Sequence, residues 1–129
     1  MVEAASHCDH AYVGTRVLIV DDHPSFRASA RTLLEAEGFD VVGEAETGVA
    51  ALRAVKELRP ELVLLDIQLP DFDGFEVAAR LGKLDDPPEI VLTSSRDDCD
   101  YGRCIADSGA RGFVPKAELS GSALAALLP

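Results

Sequence analysis

The stretch that decides the fold covers residues 62–75 and reads LVLLDIQLPDFDGF. Four apolar residues run directly into Asp66, and a loop with two further aspartates follows. A short continuous apolar run is typical of a strand that is covered on both faces, as in a parallel sheet. A carboxylate at the end of such a strand is unfavourable unless it is paired or binds a cation, so Asp66 is a candidate functional residue.

Segments with strand-like and helix-like patterns alternate on both sides of this stretch. The predicted strands cover residues 16–20, 39–45, 62–66, 89–94 and 111–116. The predicted helices cover residues 24–38, 47–60, 75–82, 97–109 and 120–129. This alternation predicts an α/β fold, a doubly wound five-stranded parallel sheet of the flavodoxin-like (βα)5 type with strand order 2-1-3-4-5.

Two of the predicted helices contain residues that break their pattern. The first has an apolar face, formed by Phe26, Ala30, Leu33 and Leu34. Glu37 falls on the same face, although it is charged. The fourth helix contains Gly102, and a glycine inside a helix costs about 1 kcal/mol relative to alanine. We therefore expect the fourth helix to be mobile.

Length and charge limit the class of protein. The chain has 129 residues, which suits one domain, and its formal net charge is −11 with a pI near 4.5. Such a negative field repels phosphate backbones, so we expect no direct DNA binding by this chain. We predict a disordered lead over residues 1–15 and a single domain over residues 16–129. The lead is a polar segment in which His7, Cys8 and His10 are the only metal-binding side chains of note.

Nothing in the sequence indicates a membrane or secretory destination. No apolar stretch reaches the roughly 18 residues of a membrane span, and the N-terminus lacks the basic start and apolar run of a signal peptide. The three cysteines, Cys8, Cys99 and Cys104, have no framework spacing, which fits free thiols in a reducing compartment. We therefore predict a cytoplasmic protein that does not contact membranes.

Polar side chains follow the predicted strands at the points where the strands end. They are Asp21 and Asp22 at the end of the first strand, Asp66 at the end of the third, Thr93 and Ser94 at the end of the fourth, and Lys116 at the end of the fifth. The carboxyl ends of parallel strands share one edge of a sheet, so these side chains should converge. Clustered carboxylates repel unless one is protonated or a cation lies among them, and Mg²⁺ is the natural cation because it takes oxygen ligands. Asp66 could then act as a nucleophile toward a phosphoryl group, with Lys116 and Thr93 holding the phosphoryl oxygens.

Four motifs carry a resemblance to a known family. They are LIVDDH at residues 18–23, LVLLDIQLPDFDG at 62–74, VLTSS at 91–95 and GFVPK at 112–116. Each motif alone is weak, but together they are specific. From residue 16 to about residue 128, the chain resembles a receiver domain of the bacterial two-component response regulators, the CheY-like superfamily. His23, which follows the acidic pair, resembles the LuxR/NarL-type branch, whose output domains bind DNA.

The resemblance implies a role for each carboxylate of the cluster. Asp66 would be the phosphoacceptor, which forms an aspartyl phosphate. Asp22, Asp66 and the backbone carbonyl of Gln68 would bind Mg²⁺, and Asp21 would hold a metal-bound water. The metal site would therefore consist of Asp21, Asp22, Asp66 and Gln68.

The resemblance also implies how a phosphoryl group would be sensed. Thr93 and Lys116 would contact it, and Phe113 would be the switch aromatic whose ring moves inward when Thr93 is drawn to the phosphate. Pro70 and Gly74 match the loop that shapes the site, where a glycine permits a close backbone approach that a β-carbon would obstruct. The face formed by strand 5, helix 4 and helix 5 would carry the output.

The function implied by the resemblance is a phosphorylation-dependent signalling switch with protein partners. A sensor histidine kinase or a phosphotransfer protein would supply the phosphoryl group, and a downstream protein partner would bind the output face. A phosphorylation-linked homodimer remains open. No output segment follows the predicted domain, so the sequence fits either a stand-alone receiver or a receiver cut from a longer regulator.

Two alternatives to the switch remain at this point. The first is a non-phosphorylated interaction module with the same fold, which a degraded site would favour. The second is a Mg²⁺-dependent phosphatase of the haloacid-dehalogenase type, which needs an acid two residues after its nucleophile, where this chain has Gln68. For the switch, catalysis would be limited to self-phosphorylation and slow autodephosphorylation, tuned by Gln68 and Ser95, without turnover of other substrates.

Three further polar residues near the motifs are assigned no chemistry. Asp71 and Asp73 are expected to be solvated loop acids. His23 is expected to be a surface or capping residue rather than a phosphoacceptor.

Overall fold

The fold is a five-stranded parallel sheet with helices on both of its faces. In the computed structural model, the described residues are 13–95 and 102–128. The strands are β1 (Arg16–Val20), β2 (Asp40–Ala45), β3 (Leu62–Asp66), β4 (Glu89–Ser94) and β5 (Gly112–Pro115). The helices are α1 (Pro24–Ala36), α2 (Gly48–Leu58), α3 (Gly74–Leu81), α4 (Gly102–Asp107) and α5 (Gly121–Ala125), and a 3-10 turn covers Lys116–Glu118. The strand order is β2-β1-β3-β4-β5 with every pairing parallel, which confirms the predicted fold class and strand order.

Side chains of the central strands alternate between two apolar layers, one on each face of the sheet. In β1, Leu18 and Val20 pack in the layer that contains the buried residues of α2 and α3. Val17 and Ile19 pack in the opposite layer, with the buried residues of α1 and α5. Every residue of β3 is buried. Because helices cover both faces, both sets of alternating side chains must be apolar, and the central strands read as continuous apolar runs.

The described chain begins inside the segment predicted as a disordered lead. Gly14 N donates to Gly38 O at 2.8 Å, and Asp40 N donates to Thr15 O at 2.9 Å. Gly38, which follows α1, has a φ of 102°, a left-handed conformation that glycine adopts readily at the end of a helix. Residues 1–12 lie outside the described residues, so the rest of the lead stays a prediction.

Glu37, the charged residue on the apolar face of the first predicted helix, caps another helix. Its Oε1 accepts a hydrogen bond from Gly121 N, at the first residue of α5, at 2.9 Å. A β-carbon at position 121 would collide with the Glu37 carboxylate, which would then have to shift. The exception in the helical pattern is therefore a tertiary contact between the end of α1 and α5.

Three helices differ from their predicted form. α2 ends at Leu58 instead of residue 60, and Leu58 is 39% exposed where it lies over Gly43 of the edge strand β2. The fourth predicted helix starts at residue 97, but residues 96–101 lie outside the described residues. The described part of α4 has no buried residue. The mobility of this helix stays a prediction. α5 covers Gly121–Ala125 instead of residues 120–129, with Ser120 as its N-cap. None of the described helices is long and apolar enough to span a bilayer.

Candidate functional site

Asp66 ends β3 at the carboxyl edge of the sheet and lies at the centre of a group of charged side chains. It is 2% exposed, and its backbone pairs with Thr93 of β4. Oδ1 accepts a hydrogen bond from Gln68 N at 3.1 Å, and Oδ2 lies 3.3 Å from Lys116 Nζ. A backbone donor therefore holds one oxygen of the carboxylate, and an ammonium group holds the other.

Lys116 bridges Asp66 to Asp21. Its Nζ lies 2.7 Å from Asp21 Oδ2, and Asp21 is fully buried. The side chain of Lys116 is only 15% exposed, so salt screens this ion pair weakly. The ring of Phe26 lies 4.7 Å from Nζ, measured to its centroid, and covers the ammonium group in a cation–π contact. Phe26 was predicted only as a core residue of α1, and the helical period carries no signal for this second role.

Burial and neighbouring charge shift the pKa values of both groups. The pKa of Asp66 is raised to about 6, chiefly by burial and also by the charge of Asp21, against the lowering effects of the Gln68 N–H and the Lys116 ammonium. Burial lowers the pKa of Lys116, but its contacts with Asp21 and Asp66 outweigh burial and leave that pKa above its ordinary value. A carboxylate that is more basic than usual attracts positive charge more strongly. The site thus holds a basic carboxylate beside a permanent cation.

The carboxylates form a candidate cation site. Asp21, Asp22, His23 and Asp66 each offer a ligand atom, and these atoms lie within 4.8 Å of one another. Asp22 Oδ1 is buried, and within the described residues it has no hydrogen-bond partner apart from an ion-pair contact with the His23 ring nitrogen at 3.0 Å. Such an oxygen is unfavourable unless a cation takes its lone pairs, and three carboxylates are a donor set that suits Mg²⁺. Gln68 forms a β-bridge across the loop, and the role of its carbonyl as a ligand stays a prediction.

His23 is a surface residue, as expected, but its side chain does not cap α1. It occupies the N-cap position of α1 without a side-chain capping hydrogen bond. Its Nδ1 lies 3.0 Å from Asp21 Oδ1 and 3.0 Å from Asp22 Oδ1, and its side chain is 62% exposed. His23 is therefore a surface residue at the N-cap position, within the expectation, and its ring contacts the two carboxylates rather than the backbone of the helix.

Thr93 lies beside Asp66, but its hydroxyl is engaged with the next strand. Thr93 is fully buried, and Oγ1 donates to Val114 O of β5 at 2.6 Å. Phe113 directly precedes Val114 and packs against the apolar layer that contains α2 and α3. The structure thus brings Thr93 and Phe113 together in neighbouring strands, while their roles toward a phosphoryl group stay predictions.

Gly74 allows the loop after β3 to fold back on its own strand. Gly74 N donates to Ile67 O at 2.6 Å. A β-carbon at position 74 would lie 2.5 Å from Asp66 O and 2.8 Å from Ile67 Cα, closer than real contacts allow. The predicted need for a glycine is therefore confirmed. Pro70 is exposed in the same loop.

Asp71 and Asp73 are exposed, but both bind helix termini, which corrects the prediction that they are merely solvated. Asp71 Oδ1 accepts from Gly48 N at 2.7 Å and Oδ2 accepts from Val49 N at 2.9 Å, at the start of α2. Asp73 Oδ1 accepts from Glu76 N at 2.8 Å and caps α3. The Asp73 cap has a sequence signal, because an acid three residues later is typical of a capping box. The partners of Asp71 are 23 and 22 residues away, so no local pattern indicates that contact.

Comparison with known sequences identifies the family. The model of the response regulator receiver domain matches residues 17–127. The transcription regulator BvgA of Bordetella pertussis is 44% identical over 103 residues, which are 80% of this chain and 49% of BvgA. The DNA-binding transcriptional activator EvgA of Escherichia coli K12 is 34% identical over 110 residues, which are 85% of this chain and 54% of EvgA. The chain thus spans about half the length of the curated relatives it matches.

Solved structures agree with the sequence matches. The signal receiver domain of NarL from Mycobacterium tuberculosis has a TM-score of 0.78 at 34% identity, covering 89% of this chain and 97% of that domain. A LuxR-family response regulator from Aurantimonas has a TM-score of 0.79 at 30% identity, covering 88% of this chain and 85% of that one. These neighbours confirm the resemblance to the LuxR/NarL-type branch. Since the family match covers nearly the whole described sheet, the chain belongs to the response regulator receiver domains of two-component systems.

Proposed function

We propose that the chain is a phosphorylation-dependent signalling switch that accepts a phosphoryl group on Asp66 in the presence of Mg²⁺. The observation that carries this proposal is the contact of the buried Asp66 carboxylate with Lys116, in a cluster with the carboxylates of Asp21 and Asp22. A carboxylate nucleophile, a fixed ammonium group and a place for a cation are the parts that phosphoryl transfer to an aspartate requires.

The proposed reaction is a transfer from a phosphohistidine on the donor protein to Asp66. A bond forms between one carboxylate oxygen and phosphorus, and the bond between phosphorus and the donor's imidazole nitrogen breaks. The electron pair of the broken bond stays on that nitrogen, which takes a proton. Lys116 lies within reach of the arriving phosphoryl oxygens and offsets their charge without leaving Asp21. When bound, Mg²⁺ would neutralise further charge on these oxygens, held by Asp21, Asp22, Asp66 and the carbonyl of Gln68.

Thr93 and Phe113 connect the site to the surface around the edge strand β5. The Thr93 hydroxyl donates to the Val114 carbonyl, a neutral acceptor. A phosphoryl group on Asp66 would offer a charged acceptor, and hydrogen bonds to charged groups are roughly twice as strong. We infer that the hydroxyl exchanges partners on phosphorylation, releasing β5 and allowing the Phe113 ring to turn inward. The changed surface is that of α4, β5 and α5.

The partners that fit this function are proteins. A sensor histidine kinase or a phosphotransfer protein donates the phosphoryl group, and a downstream protein or a second copy of the chain reads the output face. The net charge of −11 opposes direct contact between this chain and DNA. The exposed thiol of Cys104 is free, in keeping with the reducing cytoplasm in which we propose that the protein acts.

Hydrolysis of the aspartyl phosphate would be slow and limited to the bound group. Gln68 and Ser95 are exposed on either side of the site and would tune the access and orientation of water. Gln68 has no ionisable side chain, so a general acid or base is missing two residues after the nucleophile. The missing acid or base disfavours the phosphatase. The phosphorylation experiment decides between the switch and the non-phosphorylated interaction module.

Phosphorylation by a small donor tests the proposal directly. Incubation with acetyl phosphate and Mg²⁺ should add one phosphoryl group, about 80 Da by mass spectrometry, and Asp66→Asn should abolish the addition. Asp40→Asn is the matched control, because Asp40 is an exposed aspartate at the opposite edge of the sheet, and it should be labelled like the unchanged chain.

Two results would contradict the proposal. Labelling that survives in Asp66→Asn would place the phosphoryl group elsewhere. A folded, unchanged chain that takes up no phosphoryl group from acetyl phosphate or from phosphorylated kinases would favour the non-phosphorylated module.

A further inference from the structure

His23 places a nitrogen donor at the cation site. It lies where β1 passes into α1, and its Nδ1 is 3.0 Å from one oxygen of each preceding carboxylate, Asp21 and Asp22. The ring has no capping role in α1, so its position is not required by the helix. The Asp22 oxygen that it faces is buried, and within the described residues the His23 ring is the polar group in contact with it.

The distances suit a shared ion. Ligands about 2.1 Å from one metal ion and about 3.0 Å from each other subtend roughly 90° at that ion, the angle between neighbours in octahedral coordination. The contacts of Nδ1 with both carboxylate oxygens match this separation. The backbone N–H of His23 donates separately to Asp21 Oδ1 at 2.8 Å, so the loop keeps its shape if the ring exchanges a hydrogen bond for a metal.

We propose that His23 is a ligand in this site and makes it selective for first-row transition ions such as Mn²⁺, Co²⁺ and Zn²⁺ over Mg²⁺. Imidazole nitrogen binds these ions well, whereas Mg²⁺ takes oxygen ligands and keeps its waters. The inference rests on the cation site of the proposed function but not on the phosphorylation of Asp66. Mg²⁺ uses the carboxylates and the Gln68 carbonyl without His23, whereas the transition ions use His23 as an additional ligand.

If the site is selective in this way, two kinds of metal ion compete for it. A transition ion held by His23 would occupy the same Asp22 and Asp66 oxygens as Mg²⁺, so the two kinds of ion exclude each other. The exposed ring edge of His23 leaves this ligand accessible from solvent. Competition between the ions is therefore measurable on the folded chain without a phosphodonor.

The experiment measures ion binding to the full chain and three variants. Isothermal titration with Mg²⁺ and with Mn²⁺ gives the affinities, and the visible absorption of bound Co²⁺ reports whether nitrogen is a ligand. His23→Ala should weaken Mn²⁺ and Co²⁺ binding by about tenfold or more and change the Co²⁺ spectrum. Mg²⁺ affinity should stay within about twofold, because oxygen ligands carry it. His23→Asn, which keeps a hydrogen-bond donor near the position of Nδ1 but lacks the imidazole, should behave like His23→Ala.

The matched control uses the other histidines. The chain has three, so the double variant His7→Ala/His10→Ala should retain the Mn²⁺ and Co²⁺ affinity and the Co²⁺ spectrum of the unchanged chain. If the double variant loses them instead, the nitrogen ligand lies in the N-terminal segment and the inference is overturned.

Other outcomes separate this inference from the proposed function. Equal losses of Mg²⁺ and Mn²⁺ in His23→Ala, or no loss of either, would overturn the role of His23 and leave the Mg²⁺ site standing. An unchanged chain that binds neither ion would remove the cation site itself, and the proposed function with it. Thermal unfolding without metal shows whether each variant is folded before its affinity is compared.

Discussion

α3 and α4 follow neighbouring strands of one sheet, yet they are attached to it differently. α3 has four buried residues, a side-chain cap at Asp73 and an ion pair between Glu76 and Arg80. The described part of α4 has no buried residue. α3 follows the strand that ends in Asp66, and α4 follows the strand that ends beside Thr93. Attachment is therefore strong where a phosphoryl group would be held and weak on the face where the output is proposed.

This difference is what a two-state switch requires. A site that binds a small group needs fixed side chains, whereas a surface that reports binding needs an element with low local stability. Gly74 of α3 and Gly102 of the described part of α4 show the same difference in packing. A β-carbon at Gly74 would meet backbone, and one at Gly102 would meet nothing within 4 Å.

The largest difference in the free energy of unfolding is expected between truncation of a leucine of α3 and truncation of an isoleucine of α4. Leu81 is fully buried, so Leu81→Ala should lower the free energy of unfolding by about 3 kcal/mol, through lost burial and a cavity. Ile105 is only partly buried, and Ile105→Ala should cost about 1 kcal/mol. Urea unfolding followed by circular dichroism measures both. Equal losses at the two positions would break the comparison.

The next effect compares the two glycines. Gly74→Ala should lower the free energy of unfolding by about 2 kcal/mol, because the new β-carbon must displace the backbone of Asp66 and Ile67. Gly102→Ala should raise it by about 0.5 kcal/mol, because open space receives the methyl group and the unfolded chain loses freedom. The same denaturant titrations decide the signs. A destabilising Gly102→Ala would show that α4 is more tightly packed than its exposure indicates.

A third effect concerns Asp66, which ends β3, the strand that α3 follows. The pKa of Asp66 is raised to about 6 in the folded chain, chiefly by burial, above the ordinary value of 3.8. The folded state therefore binds this proton more tightly than the unfolded state, and the resulting stability is complete below pH 3.8 and lost as the pH rises through about 6.

A rise of about two pKa units corresponds to about 3 kcal/mol, and solvent screening should reduce the measured loss to about 1–2 kcal/mol, with a chelator present so that no cation compensates. Asp66→Asn should remove this part of the pH dependence, whereas Asp40→Asn should keep it. Identical stability profiles of Asp66→Asn and the unchanged chain between pH 4 and pH 6 would refute a raised pKa.

The smallest effect concerns the cap of α3. Asp73→Ala removes the oxygen that accepts from Glu76 N and should lower the free energy of unfolding by about 1 kcal/mol. Asp107→Ala at the exposed end of α4 is the control and should change it by less than about 0.5 kcal/mol. A reversal of this order in thermal or urea unfolding would show that the cap does not secure α3.

The sheet and the centre of the site could be predicted because their signals are local. Each central strand is a continuous apolar run, and Asp21, Asp66 and Lys116 directly follow such runs. The rule that parallel strands end at one edge is then enough to bring the three side chains together. The observed contacts of Lys116 Nζ with both carboxylates are the physical result of that rule.

The remaining contacts could not be predicted because their partners are distant in sequence or compete for one donor. Asp71 binds the start of α2, and no pattern in either segment encodes that meeting. His23 could have capped α1, but the two carboxylates compete successfully for its ring. Thr93 lies at the carboxyl edge of the sheet, but its hydroxyl donates to the Val114 carbonyl of the next strand, and residue type alone does not predict that acceptor.

The contact of Glu37 with Gly121 has a consequence for the order of folding. It joins residues 84 positions apart, so the entropy cost of closing this long loop is large and the contact forms only after almost the whole chain has been assembled. β1, α1, β2, α2 and β3 meet through shorter connections and can form a nucleus without α5. We expect the Glu37 cap to be absent from the folding transition state, so that Glu37→Ala, which removes the acceptor of the Gly121 N–H, shortens the lifetime of the folded chain and leaves its folding rate unchanged.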